Sequence, residues 1–231
     1  MVSHASVTNM SREDRMSMTA EKALEFLKEG NKRFLNNLSV NRNTLQLINE
    51  TAEKQFPFAA VLSCSDSRVP VELVFDQGLG DVFSVRLAGN IASLNAIGSI
   101  EYALTILGSK LVLVLGHSSC GAVSAACDDI KMDNLNELLA HIHPAVEAET
   151  TTMDNRNSKN KDFVNNVGWL NVRHQIDLIM NTSPIIREAV NKGEVIITGA
   201  MYDIITGKVD FLDSINDKSK AYYESTEVYK G

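Results

Sequence analysis

Cys64, Asp66 and Arg68 stand at every second position directly after the apolar run Phe58-Ala59-Ala60-Val61-Leu62. In extended backbone that spacing turns a thiol, a carboxylate and a guanidinium to one side. A thiol gains nothing in packing from such neighbours, and charged groups at a strand end need partners. The arrangement suits a metal thiolate with an acid–base group two residues on, itself steered by a cation two residues further. One thiolate does not make a metal site. The remaining ligands are available in His117-Ser118-Ser119-Cys120-Gly121, which follows a second apolar run, Leu111-Val112-Leu113-Val114-Leu115-Gly116. Cys64, His117 and Cys120 together offer two thiolates and an imidazole, a set suited to tetrahedral zinc. Three protein ligands leave the fourth position to water, as in catalytic rather than structural sites.

The local spacing supports this grouping. His117 and Cys120 are three apart, which on a helical turn places them on one side, with Ser118 or Ser119 positioned to cap the helix. Cys127 lies seven residues past Cys120, roughly 10 Å along a helix and too far to share one ion, so it reads as a buried thiol. His174 is four residues from both Leu170 and Leu178 and is expected on the buried stripe of a helix. His141 and His143 are expected as a solvated pair near a helix end, and His4 lies in the amino-terminal arm.

The elements that must position these residues show in the hydrophobic pattern. Short apolar runs at 58–63, 82–87, 111–116 and 194–199 are rich in Val, Ile and Leu without clean alternation, as in strands covered on both faces. Helix-like stretches lie between them at 71–75, 96–107, 120–126 leading into 134–147, and 163–179. The alternation predicts an α/β fold with a mostly parallel central sheet flanked by helices. In such sheets ligands sit at the carboxyl ends of the strands, where Cys64 and His117 both fall. Gly207 divides the last apolar stretch into 201–205 and 208–212, a terminal hairpin or edge strand. Residues 149–162 read as a polar loop. Ahead of the first strand, 19–37 and 44–54 read as helices, with Leu24, Leu27, Phe34 and Leu35 at helical spacing and Gly30-Asn31 as a weak point. These two helices need an apolar surface of their own sheet or of another subunit. Residues 1–18 read as a loosely attached arm, and 19–231 as a single domain.

Composition narrows the class. The 231 residues are 44% hydrophobic and 22% charged, with a net charge of −7 and no Lys/Arg block. This argues against a nucleic-acid or anionic-membrane partner. No apolar run approaches spanning length. Three cysteines spaced unlike a disulfide framework fit a reducing compartment, and the cytoplasm is the expected address.

Cys-Ser-Asp-Ser-Arg at 64–68 together with His-Ser-Ser-Cys-Gly at 117–121 resembles the β-class carbonic anhydrases. Phe75-Asp76-Gln77-Gly78-Leu79-Gly80-Asp81, Val85-Arg86-Leu87-Ala88-Gly89-Asn90, Ser99-Ile100-Glu101-Tyr102-Ala103 and Gly199-Ala200-Met201-Tyr202-Asp203 extend the resemblance over residues 20–213. It implies a zinc enzyme interconverting carbon dioxide and bicarbonate by attack of a zinc-bound hydroxide, with one Zn2+ per subunit. It also implies a homodimer or higher even oligomer, its cleft at the subunit interface and its amino-terminal helices embracing the partner. By position Cys64, His117 and Cys120 match the zinc ligands, and Asp66 and Arg68 the catalytic dyad. Gln55 matches a substrate-binding glutamine, and Phe83 and Tyr102 match apolar pocket walls. Two anionic thiolates acidify a bound water less than neutral imidazoles would, so activity is expected to rise toward alkaline pH. Some members carry Trp three residues before the first zinc cysteine, in a noncatalytic bicarbonate pocket that shuts the site. Val61 stands there in this chain, so the open form is expected, with water and not Asp66 completing the zinc shell. Three other readings compete. Relatives of the family hydrolyse carbon disulfide or carbonyl sulfide on the same zinc site. A non-enzymatic zinc-stapled protein would have no use for Asp66 and Arg68, and a redox pair would lack the Cys-x-x-Cys spacing.

Overall fold

Every residue of β1 (Ala59–Ser63) and β3 (Leu111–His117) is buried in the computed structural model, which describes Glu13 and residues 17–212. The reason lies in how successive side chains divide between two faces. Val61, Leu111, Leu113 and Leu115 pack on one side with Leu27, Val71, Val74 and Phe75. Ala60, Leu62, Val112 and Val114 pack on the other with Ile97, Ile100, Val172 and Ile179. With β2 (Val82–Arg86), β4 (Ile196–Tyr202) and β5 (Val209–Phe211) they form a five-stranded sheet of order β2-β1-β3-β4-β5. All pairings are parallel except β4 with β5. The α/β class, the parallel sheet and the flanking helices are as the sequence predicts. Gly207, at φ 78°, takes the turn between β4 and the antiparallel edge strand.

The chain leaves β1 toward β2 on one side and reaches β3 on the other. The topological switch point therefore falls between the carboxyl ends of β1 and β3, where open α/β sheets form their ligand crevice. The connecting helices are α1 (Ala20–Leu35), α2 (Thr44–Thr51), α3 (Val71–Val74), α4 (Leu94–Thr105), α5 (Gly121–Cys127), α6 (Leu135–Ala140), α7 (His143–Ala148), α8 (Lys161–Thr182) and α9 (Pro184–Asn191). Helix α9 is not anticipated by the sequence reading. Ser183 accepts the Ile186 N–H and Pro184 occupies the first turn, so a new helix opens directly after α8.

Gly30-Asn31 is not a weak point in α1 but its docking point. A side chain at Gly30 would overlap the Phe75 carbonyl oxygen, so only glycine lets the helix approach this closely. Asn31, 4% exposed, donates to the carbonyls of Val74 (3.1 Å) and Gly207 (2.9 Å) and accepts the Val209 N–H (3.0 Å). One amide thus ties α1 to α3 and to the terminal hairpin. Asn31→Ala strands those buried backbone groups and is expected to destabilise by about 3 kcal/mol, read as a lowered urea midpoint. Leu35, expected on the buried stripe, is exposed, and Phe34 is only partly buried. Met18 is buried against α1, so the attached body begins inside the segment read as an arm. Residues 1–12 and 14–16 of that segment, His4 among them, and residues 213–231 lie outside the described residues. Among those described, no helix is long and apolar enough to cross a membrane.

Candidate metal centre and active site

Cys64 follows β1 directly, His117 ends β3, and Cys120 is the N-cap of α5, so three ligand atoms meet at the switch point. The two sulfurs stand 3.9 Å apart, and both sulfurs and an imidazole nitrogen lie within 4.8 Å of one another. Two sulfurs bonded tetrahedrally to one zinc at about 2.3 Å would stand roughly 3.8 Å apart. The imidazole is oriented by its Nδ1, 3.0 Å from the Ser118 carbonyl, while Nε2 is buried with no partner in the protein. A buried nitrogen left alone in a polar cluster is costly and is what a ligand awaiting an ion looks like. The donor set and its spacing fit a tetrahedral metal.

Backbone amides surround the sulfurs. Cys64 Sγ accepts the N–H groups of Asp66 (3.4 Å) and Gly89 (3.3 Å), while Cys120 makes no side-chain capping bond and is only favoured in its charged form by the amides of Ala122 and Val123. The contact between the sulfurs, helped by His117 and these amides, draws the Cys64 thiol well below the usual thiol range. The same contact with a thiolate, together with burial, pushes Cys120 up. The pair readily gives up one proton and holds the second until a cation replaces it. Cys127, buried at the end of α5, is pushed up to about 11 mainly by burial and takes no part in the cluster.

The 64–68 segment does not run extended. Asp66 Oδ1 accepts the Arg68 N–H at 2.9 Å, and its carbonyl accepts the Val69 N–H, making a tight Asx turn. That turn brings Arg68 back onto its neighbour, Nε to Oδ1 at 2.9 Å and an Nη to Oδ2 at 2.7 Å. Asp66 Oδ2 lies 3.9 Å from His117 Nε2. The Arg68 hydrogen bonds hold the Asp66 carboxyl well below the usual carboxylate range against a smaller opposing effect of burial. Such an ion pair stabilises the fold above the ordinary Asp value of about 3.9, and the stabilisation is lost as pH falls through the depressed one. Arg68→Leu removes the cause, so the acid limb of the pH–activity profile is expected to move upward, as a pH titration of the variant would read.

His117 and Cys120 are not on a helical turn either. Ser119, at φ 54°, reverses the chain between strand and helix, and Ser118 accepts the Ile204 N–H instead of capping α5. His174 is half-buried on the flank of α8, whose fully buried stripe runs through Val167, Asn171, Gln175 and Ile179. Burial and His141 lower its pKa. His141 and His143 are half-buried rather than solvated.

Arg86 carries a role that the sequence reading missed. It ends β2 in register with Ser63 and donates to the carbonyls of Cys64 (3.1 Å) and Asp66 (2.6 Å), gripping the turn from outside. A cation closing the strand beside Cys64 was the signal available. Within one chain the three residues expected at the pocket stay apart from the cluster. Gln55 is exposed ahead of β1, so the whole strand, roughly 16 Å, separates it from Cys64. Phe83 pairs with Ala60, near the amino end of β2, and packs 6.2 Å from the half-exposed ring of Tyr102.

The family profile described as carbonic anhydrase matches residues 59–209. Carbonic anhydrase 2 of Mycobacterium tuberculosis is 35% identical over 200 residues, covering 84% of this chain and 94% of its own. Carbonic anhydrase of Pseudomonas aeruginosa is 31% identical, covering 79% and 86%. A solved structure from Sordaria macrospora, described among two tetrameric β-carbonic anhydrases, superposes with a TM-score of 0.64. It is 29% identical, with 80% of this chain and 90% of that one covered. The parallel sheet carries at its switch point a Cys-His-Cys corner that could hold a metal, on an α/β enzyme scaffold. This chain belongs to the β-class carbonic anhydrase family and is a lyase of that kind.

Proposed function

We propose that this chain catalyses the zinc-dependent, reversible hydration of carbon dioxide to bicarbonate and a proton, with one Zn2+ held by Cys64, His117 and Cys120. The observation that carries the reading is an Asp66 carboxyl clamped by Arg68, 3.9 Å from the unpartnered His117 Nε2. When bound, zinc acts as a Lewis acid that makes water nucleophilic near neutral pH. Both Asp66 oxygens are engaged by Arg68, so the carboxylate is held off the ligand cluster and leaves a position there for water. From that position Asp66 accepts the proton side of the attacking water and orients its lone pair. Cys64 and Cys120 balance the ion's charge.

Gln55, Phe83 and Tyr102 reach this corner from a second copy of the chain, Gln55 donating to a substrate oxygen and the rings giving an apolar wall. This requires a homodimer or a higher even oligomer. The exposed Leu38, Leu45 and Ile48 around α2 supply apolar surface for the contact, and the Sordaria neighbour is described as tetrameric. The free, buried thiols suit the cytoplasm.

Stopped-flow hydration assays on protein as purified, stripped by a chelator and reloaded with zinc test the proposal, with light scattering for subunit number. Activity is expected to vanish with the metal and return with it. An equally active stripped protein would overturn the reading. Turnover of carbonyl sulfide or carbon disulfide without carbon dioxide would transfer the site to hydrolysis.

A further inference from the structure

We infer that Asn171 and Gln175, both fully buried on α8, are positioning residues for the Cys64 thiolate, acting through the segment 88–92. This rests on the metal-site reading above. Gly89 donates its N–H to Cys64 Sγ, the one backbone N–H that reaches this sulfur from outside its own loop among those described. The donor sits in left-handed backbone, free of cost for Gly89 at φ 70° but not for Asn90 at φ 47°, so something must hold the segment.

The holder is a pair of side-chain amides whose orientation follows from the backbone. Ala92 N–H needs an acceptor, and Gln175 Oε1 is 2.8 Å away. Gln175 Nε2 therefore donates, to the carbonyl of His141 and to Asn171 Oδ1, both at 2.9 Å. Asn171 Nδ2 is then turned to the Gly89 carbonyl, also at 2.9 Å. Each amide has one orientation that satisfies its neighbours, so the pair grips the segment at residues 89 and 92. Helix α8 is a firm base for this grip. Val172 seats so closely on Gly116 and Gly199 that a side chain at either glycine would meet it at 2.7 and 2.5 Å. From the other side, Ala122 and Ile142 crowd Gly89. The sulfur's direction is thus set by a helix far along the chain, as outer partners set the ligands of other metal sites.

The test compares wild type, Asn171→Leu, Gln175→Met and Ile179→Val, the last removing a buried methylene-scale volume from the same helix without touching the segment. Zinc release to a coloured chelator and the thiolate-to-metal charge-transfer band of the cobalt-substituted protein are read beside the melting temperature. Both amide variants are expected to release zinc about 10-fold faster or more and to shift the band, while Ile179→Val changes neither. Release and band unchanged in the amide variants, with only the melting temperature lowered, would overturn the inference. So would failure of both to fold where Ile179→Val folds, since the amides would then be structural alone. A wild type that retains no zinc would defeat the functional reading instead, before any variant is compared.

Discussion

Cys64→Ser is expected to yield a folded chain that retains almost no zinc and shows no measurable hydration. A serine hydroxyl stays protonated near neutral pH and is a hard donor, so it neither balances the ion's charge nor suits its softness. Loss of an outer partner alone costs about 10–100-fold in metal affinity, and loss of a direct ligand should exceed that. The fold should survive because Cys64 lies beyond the last residue of β1, and serine still accepts the Asp66 and Gly89 N–H groups. Zinc content by elemental analysis, stopped-flow rates and circular dichroism separate these outcomes. Activity and zinc content equal to wild type would remove Cys64 from the site.

Asp66→Asn is expected to behave oppositely, keeping zinc and fold while losing turnover. The amide cannot accept a proton and repels one of the two Arg68 donors that the carboxylate now satisfies. Losing the group that positions the attacking water costs about 10²-fold or more, about 3 kcal/mol of barrier. Arg68→Lys should fall between, because an ammonium supplies charge without the paired geometry. This variant decides between enzyme and staple. A protein whose zinc only ties two loops together would show normal metal content and no other change on losing Asp66.

The readable parts of the fold were those with local causes. Strands covered on both faces must be continuously apolar, so β1 and β3 stand out as runs, with Cys64 and His117 at the ends where such sheets form their ligand crevice. The run at 82–87 misleads on this point, because β2 lies at the sheet edge and leaves Ser84 and Arg86 exposed. The Thr19 cap and the Leu24 and Leu27 spacing announced α1. Shape between the motifs was less legible. Alternate spacing at 64–68 suggested extended chain, yet Asp66 bonds its own backbone and turns Arg68 onto itself. Three-residue spacing at 117–120 suggested a helix, yet a left-handed Ser119 does the work. In the first case a short polar side chain competed with the regular structure for backbone partners, in the second one left-handed residue turned the chain, and spacing alone carries no trace of either.

By itself the sequence determined which residues are able to ligate, ionise or accept a proton, since those are properties of side chains, and it determined that two strand ends carry them. Tertiary structure decided everything that depends on approach. It chose the 3.9 Å between the sulfurs, the Arg86 grip and the Asn171–Gln175 hold on the Gly89 segment. It also left Gln55 ahead of β1, at the end of the sheet opposite Cys64. Contacts between residues 82 positions apart arise from packing helices onto a sheet, and no local pattern specifies which buried polar groups that packing will bring face to face.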